Sequence, residues 1–133
     1  HLELYFGVAG SGRVVHTLNP RLHPGQLVWI VNHAEDQVLC FDMSFLPLVQ
    51  AVHAKCPTVK TWVALCDADQ LPADSGIPNL VSYEAWIGGA SSDYVWPRFD
   101  ENSAAGLCYT SGTTGDPKGA LCCTPTAARC PMP

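Results

Sequence analysis

"YTSGTTGDPKGAL", residues 109–121, follows a run of strand-like residues and then changes character abruptly. Glycines at 112, 115 and 119 let backbone N–H groups approach an anion without interference from a Cβ atom. Thr110, Ser111, Thr113 and Thr114 add hydroxyl donors, and Lys118 adds a full positive charge. A Gly/Thr hairpin turn explains the glycines and "DP", but gives no reason for those hydroxyls and a lysine in one loop. The combination suits a polyphosphate. It is not a Walker A loop: the spacing from Gly112 to Lys118 does not give G-x-x-x-x-G-K-[ST], and glycine follows Lys118.

Outward from that loop, short apolar runs alternate with segments of helical period. "RVVHTL" (13–18), "QVLCF" (37–41), "TWVALCD" (61–67) and "GLCYT" (106–110) read as strands, rich in β-branched or aromatic residues. Leu27, Ile30, Val31 and Ala34 fall on one helical face, with Pro24 tolerated in the first turn. A second helix is expected with Ser44 as its cap and Pro47 in its first turn. Phe45, Leu48, Val49 and Val52 form its buried face, and "CP" at 56–57 stops it. Residues 67–82 read as a Pro/Gly-rich connection with a short strand near Leu80 and Val81, followed after Ser82 by a short helix, "YEAWIGGA". The βαβαβ order predicts an α/β fold, a mostly parallel sheet flanked by helices, in one continuous domain with one core.

The 133 residues are 47% hydrophobic and 14% charged, a globular composition. Seven basic residues against a formal charge of -5 leave no dense patch for a phosphate backbone, which argues against a DNA or RNA reader. No apolar run approaches the roughly 20 residues of a membrane span, and no signal-peptide pattern opens the chain, so a cytoplasmic protein is the expectation. The cysteine count is odd, and Cys40 and Cys66 sit inside apolar runs, which favours reduced thiols. Cys122, Cys123 and Cys130 lack the C-x-x-C spacing of a zinc site. "GVAGSG" (7–12) precedes a strand instead of opening a helix after one, so it reads as a helix stop and turn. His16, His23, His33 and His53 are scattered, and His33 with Glu35 reads as a helix C-terminal turn, not an acid/base pair.

The loop resembles the phosphate-binding signature of the AMP-forming adenylating enzymes, a superfamily that includes acyl-CoA synthetases, peptide-synthetase adenylation domains and luciferases. Residues 12–42 ("GRVVHTLNPRLHPGQLVWIVNHAEDQVLCFD") and 99–119 ("FDENSAAGLCYTSGTTGDPKG") resemble the fatty-acyl-CoA ligase branch, medium- or long-chain and methylmercaptopropionate-CoA ligase-like. The resemblance covers residues 1–121. It implies a two-step reaction in which a fatty-acid carboxylate and ATP give an acyl-adenylate and pyrophosphate, and coenzyme A then displaces AMP. It also implies that Thr110, Ser111, Gly112, Thr113, Thr114, Gly115 and Lys118 hold the β- and γ-phosphates with Mg²⁺, with no catalytic nucleophile among them. In "NPRL" (19–22), Asn19 and Pro20 would shape a post-strand loop and Arg21 would serve as an ion-pair partner.

Family members are several times longer, so the resemblance implies an internal fragment of the large N-terminal domain, "HLELYFGVAG" beginning inside a helix. The chain alone is expected to be catalytically inactive, or at most a weak nucleotide- or phosphate-binding module. Residues 122–133 depart from the family pattern. One codon choice for 124–133, read one base earlier, gives H-P-H-R-S-T-V-P-H-A, close to the family's continuation. A frameshifted tail is therefore the expectation, and the coding DNA tests it.

Overall fold

The computed structural model describes residues 1–110 and 116–123, and the chain divides into two compact units. One comprises His1–Asn19 with Asp93–Pro133, the other Pro20–Ser92. The described strands form two three-stranded sheets, one in each unit.

In the unit Pro20–Ser92, strands β2 (Val38–Phe41), β3 (Thr61–Ala64) and β4 (Leu80–Ser82) run parallel in that order. Helices α2 (Pro24–His33) and α3 (Leu46–Val52) provide its buried apolar faces. Pro24 lies in the first turn of α2, where a missing N–H costs nothing, and the His23 Nδ1 accepts from the Gly25 N–H at 3.1 Å. Leu27, Ile30 and Val31 are buried as their spacing predicts, while Ala34 is the half-buried C-cap. The core is built on Trp62, Val63 and Ala64 of the central strand β3.

The entry to α3 differs from expectation. Asp42, not Ser44, is the capping residue: its Oδ1 accepts from the Ser44 N–H at 2.9 Å and the Ser44 hydroxyl at 2.6 Å. These bonds hold the Asp42 carboxyl below its ordinary pKa. They form a 3₁₀ turn over Met43–Phe45, so α3 begins at Leu46. Phe45 therefore stays exposed and Leu48 only half-buried, while Val49 and Val52 are buried as expected. Pro47 does occupy the first turn. Strand β3 stops at Ala64, short of the expected 67, because Asp67 opens a 3₁₀ turn (Ala68–Gln70) through a reciprocal capping box with Gln70. The short strand at 80–81 is present, and the Ser82 hydroxyl accepts from the Ala85 N–H at 3.1 Å to start α4 (Tyr83–Ile87).

In the other unit, helix α1 (Leu2–Gly10) precedes β1 (Val15–Thr17), which pairs parallel with β5 (Ala104–Thr110). Strand β6 (Lys118–Cys123) pairs antiparallel on the far side of β5, giving the order β1-β5-β6. Its cysteines Cys122 and Cys123 are not disulfide-bonded. "GVAGSG" is indeed a helix stop. The Gly12 N–H donates to Ala9 O and the Arg13 N–H to Val8 O, with Gly12 at φ +75°. Helix α2 ends on the same paired bonds, Glu35 N–H to Asn32 O and Asp36 N–H to Val31 O, with Glu35 at φ 55°. Among the described residues no helix is long and apolar enough to cross a membrane.

Candidate functional site

Strand β5 delivers the chain to the glycine- and threonine-rich loop. The turn before it is set by Asp100, whose Oδ1 accepts from the Asn102 N–H at 2.8 Å and the Asn102 side-chain amide at 2.9 Å. Those bonds hold the Asp100 carboxyl below its ordinary pKa. An Asp that bonds its own backbone two residues on is ordinary turn chemistry, legible in "FDEN" but not singled out from sequence.

Thr110 ends β5 and Lys118 begins β6, and the two are register partners across the hairpin. The Thr110 hydroxyl donates to the Lys118 carbonyl at 3.4 Å, and both residues are solvent-exposed. The glycine- and threonine-rich stretch thus connects the two strands of a hairpin. Its connection runs from 111 to 117, longer than the roughly 2–5 residues that reversing a strand pair requires. Ser111, Gly112, Thr113, Thr114 and Gly115, expected to line the anion site, lie outside the described residues.

Alternation along the hairpin sorts its side chains. Thr110, Lys118 and Cys108 share one face, and Cys108 Sγ lies 3.3 Å from the Thr17 hydroxyl of β1. The opposite face carries Leu107, Tyr109 and Gly119. A Cβ at Gly119 would come within 3.1 Å of the Tyr109 ring and 3.4 Å of Leu107. Gly119 lies inside β6, and its missing side chain makes room for the Tyr109 ring.

The histidines serve separate local roles. The His16 ring lies against Tyr109 at 5.3 Å between centroids, and His23 caps α2. His33 stacks on Trp29 at 4.6 Å, while His53 bonds to Gln50 O and meets the Trp62 ring edge-on. His33 and Glu35 fall in the α2 C-terminal turn, as expected. Burial raises the Cys40 thiol pKa to about 11 and also raises that of Cys56. Neither thiol is a nucleophile near neutral pH.

Residues 1–124 match the family model described as AMP-binding enzyme. A 3-methylmercaptopropionyl-CoA ligase of Ruegeria lacuscaerulensis is 51% identical over 121 residues, 91% of this chain and 22% of the relative. A medium-chain-fatty-acid–CoA ligase of Ectopseudomonas oleovorans is 47% identical over the same shares. A long-chain-fatty-acid–CoA ligase of Thermus thermophilus is 44% identical over 91% of this chain and 20% of its own length. The chain thus spans about a fifth of the length of these curated relatives. Among solved structures, the anthranilate CoA ligase AuaEII in complex with anthranoyl-AMP superposes with a TM-score of 0.80 over 94% of this chain and 23% of that one. At 24% identity that likeness speaks for the fold: α/β, with parallel strands flanked by helices. With nearly the whole sequence inside one family model and such similar relatives, the chain belongs to the AMP-binding enzyme family.

Proposed function

We propose that this chain carries the ATP phosphate loop of a ligase that joins fatty acids to coenzyme A. The observation that carries the reading is the exposed Thr110–Lys118 pair closing a loop longer than its hairpin needs. That loop is composed of serine, threonine and glycine at 111–115. Thr110, Ser111, Gly112, Thr113, Thr114, Gly115 and Lys118 would hold the β- and γ-phosphates by backbone N–H groups, hydroxyls and one ammonium.

The overall reaction of the parent ligase is the one that the resemblance to the adenylating enzymes implies. A carboxylate oxygen attacks the α-phosphorus of ATP, the bond to the bridging oxygen breaks, and pyrophosphate leaves with that electron pair. The sulfur of coenzyme A then attacks the acyl carbonyl, its proton is lost, and AMP departs. The loop serves the first step by positioning the β- and γ-phosphates and offsetting charge that grows on the leaving pyrophosphate. The donor set suits anions: Thr110 and Lys118 offer a hydroxyl and an ammonium, and among the described residues no trio of His, Cys, Asp or Glu is gathered to bind a metal.

Calorimetric titration of the 133-residue chain with ATP·Mg²⁺, beside Lys118→Ala, tests the proposal. Removing a charge-assisted contact is expected to weaken binding about tenfold or more. Equal affinity in the two proteins overturns it.

A further inference from the structure

We propose that Tyr109 is the positioning residue of the loop: its ring ties the two flanking strands to β5 and so sets the spacing of Thr110 and Lys118. The inference rests on the phosphate-loop reading above. Tyr109 immediately precedes Thr110, so strand alternation puts its ring on one face and the Thr110 hydroxyl on the other. On its own face the ring touches both neighbours of the central strand. His16 of β1 lies 5.3 Å away between centroids at an interplanar angle of 41°. Gly119 of β6, the register partner of Tyr109, leaves the space the ring fills; a Cβ there would stand 3.1 Å from the ring.

The next register pair is Thr110 and Lys118, which close the loop. A glycine inside a strand weakens pairing through its backbone freedom and lack of side-chain cover, and an aromatic ring laid across it restores that cover. Leu107 supports the same spot, 3.4 Å from the position of the absent Cβ. The Tyr109 ring therefore fixes how far β5 and β6 splay where the anion donors begin. It acts through Thr110 and Lys118 and need not touch the ligand.

The test uses the full 133-residue chain, titrated with ATP·Mg²⁺ by calorimetry and melted thermally, in five forms: unmutated, Lys118→Ala, Tyr109→Leu, Tyr109→Phe and Gly119→Ala. Tyr109→Leu is expected to weaken binding about tenfold with a cooperative melt retained, as loss of a residue supporting a binding group does. Tyr109→Phe restores the affinity, because the ring and not the hydroxyl spans the strands. Gly119→Ala, which pushes the ring away, weakens binding without removing any donor. Unmutated affinity in Tyr109→Leu, or equal losses in Tyr109→Phe and Tyr109→Leu, overturns the positioning role. If Tyr109→Leu loses its cooperative melt, Gly119→Ala decides, and undiminished affinity there overturns the proposal. A loss in Lys118→Ala beside full affinity in Tyr109→Leu leaves the phosphate-loop reading standing while this inference falls. Unmutated affinity in Lys118→Ala removes both.

Discussion

The two units differ in what their sheets bury. Every buried hydrophobic residue among the described residues except Ala105 lies in Pro20–Ser92, where Trp62, Val63 and Ala64 form the middle of a parallel sheet. The unit with the candidate site instead exposes Leu2, Phe6, Tyr94, Val95, Trp96 and Leu121. Its contacts are rings laid on glycines: a Cβ at Gly10 would fall 2.7 Å from Trp96, and one at Gly12 would fall 3.3 Å from Phe99. Stability of the first kind comes from apolar area removed from water. Shape of the second kind comes from backbone geometry and a few well-placed rings.

The largest effect that could break this contrast is a core deletion. Trp62→Ala is expected to cost about 3–5 kcal/mol of unfolding free energy. Leu121→Ala, on an exposed strand, is expected to change it by about 0.5 kcal/mol or less. Urea midpoints measure both, and similar shifts would erase the distinction between the units.

Polar contacts should rank the same way. Ser82 is the buried polar residue of the core and caps α4, so Ser82→Ala is expected to cost about 1–2 kcal/mol. In the other unit the Ser11 hydroxyl donates to Val8 O at 2.8 Å from a half-buried position. Ser11→Ala should cost about 0.5–1 kcal/mol, and a reversed order in chemical denaturation would contradict the ranking.

The two helix ends offer a sharper, mirror-image test. Both close on the same pair of hydrogen bonds with one left-handed residue, glycine at position 12 and glutamate at position 35. Glu35→Gly is expected to raise stability by about 0.5–1 kcal/mol by relieving the Cβ clash. Gly12→Ala should lower it by at least about 1 kcal/mol, since the new Cβ also meets Phe99. Thermal melts of the two variants should move in opposite directions.

A separate effect is alkaline. Burial raises the Cys40 thiol from 9.0 to about 11, and Cys56 shifts in the same direction; both lie in Pro20–Ser92. A raised folded-state pKa means that the folded chain holds its proton longer than the unfolded chain does. The associated stability is complete below about pH 9 and is lost as pH rises towards about 11. Cys40→Ala should flatten that decline in denaturation midpoints measured across the interval. An unchanged slope would remove Cys40 as its source.

Much of this was legible in particular residues. Leu27, Ile30 and Val31 declared one helix face, Pro24 declared its start, and "GVAGSG" declared a stop. Ser44 misled because Asp42, two residues upstream, accepts both the Ser44 N–H and the Ser44 hydroxyl, which ties that side chain back to the 3₁₀ turn; the choice depends on where the chain leaves β2. The space that Gly119 leaves for the Tyr109 ring was not legible, because a glycine that frees the backbone and one that accommodates a ring look the same in sequence. The composition of 110–118, four hydroxyls, glycines and a lysine, is unusual without reference to any fold, and it is what the phosphate-loop proposal starts from.

Period and composition alone determined the α/β character, the helix faces and the strand that leads to the loop, because each is written in spacing over a few residues. Tertiary structure decided that β5 lies between β1 and β6, that its partners run in opposite directions, and that Thr110 faces Lys118. Strand pairing joins residues as far apart as Thr17 and Cys108, and no local pattern in either segment encodes that long-range choice.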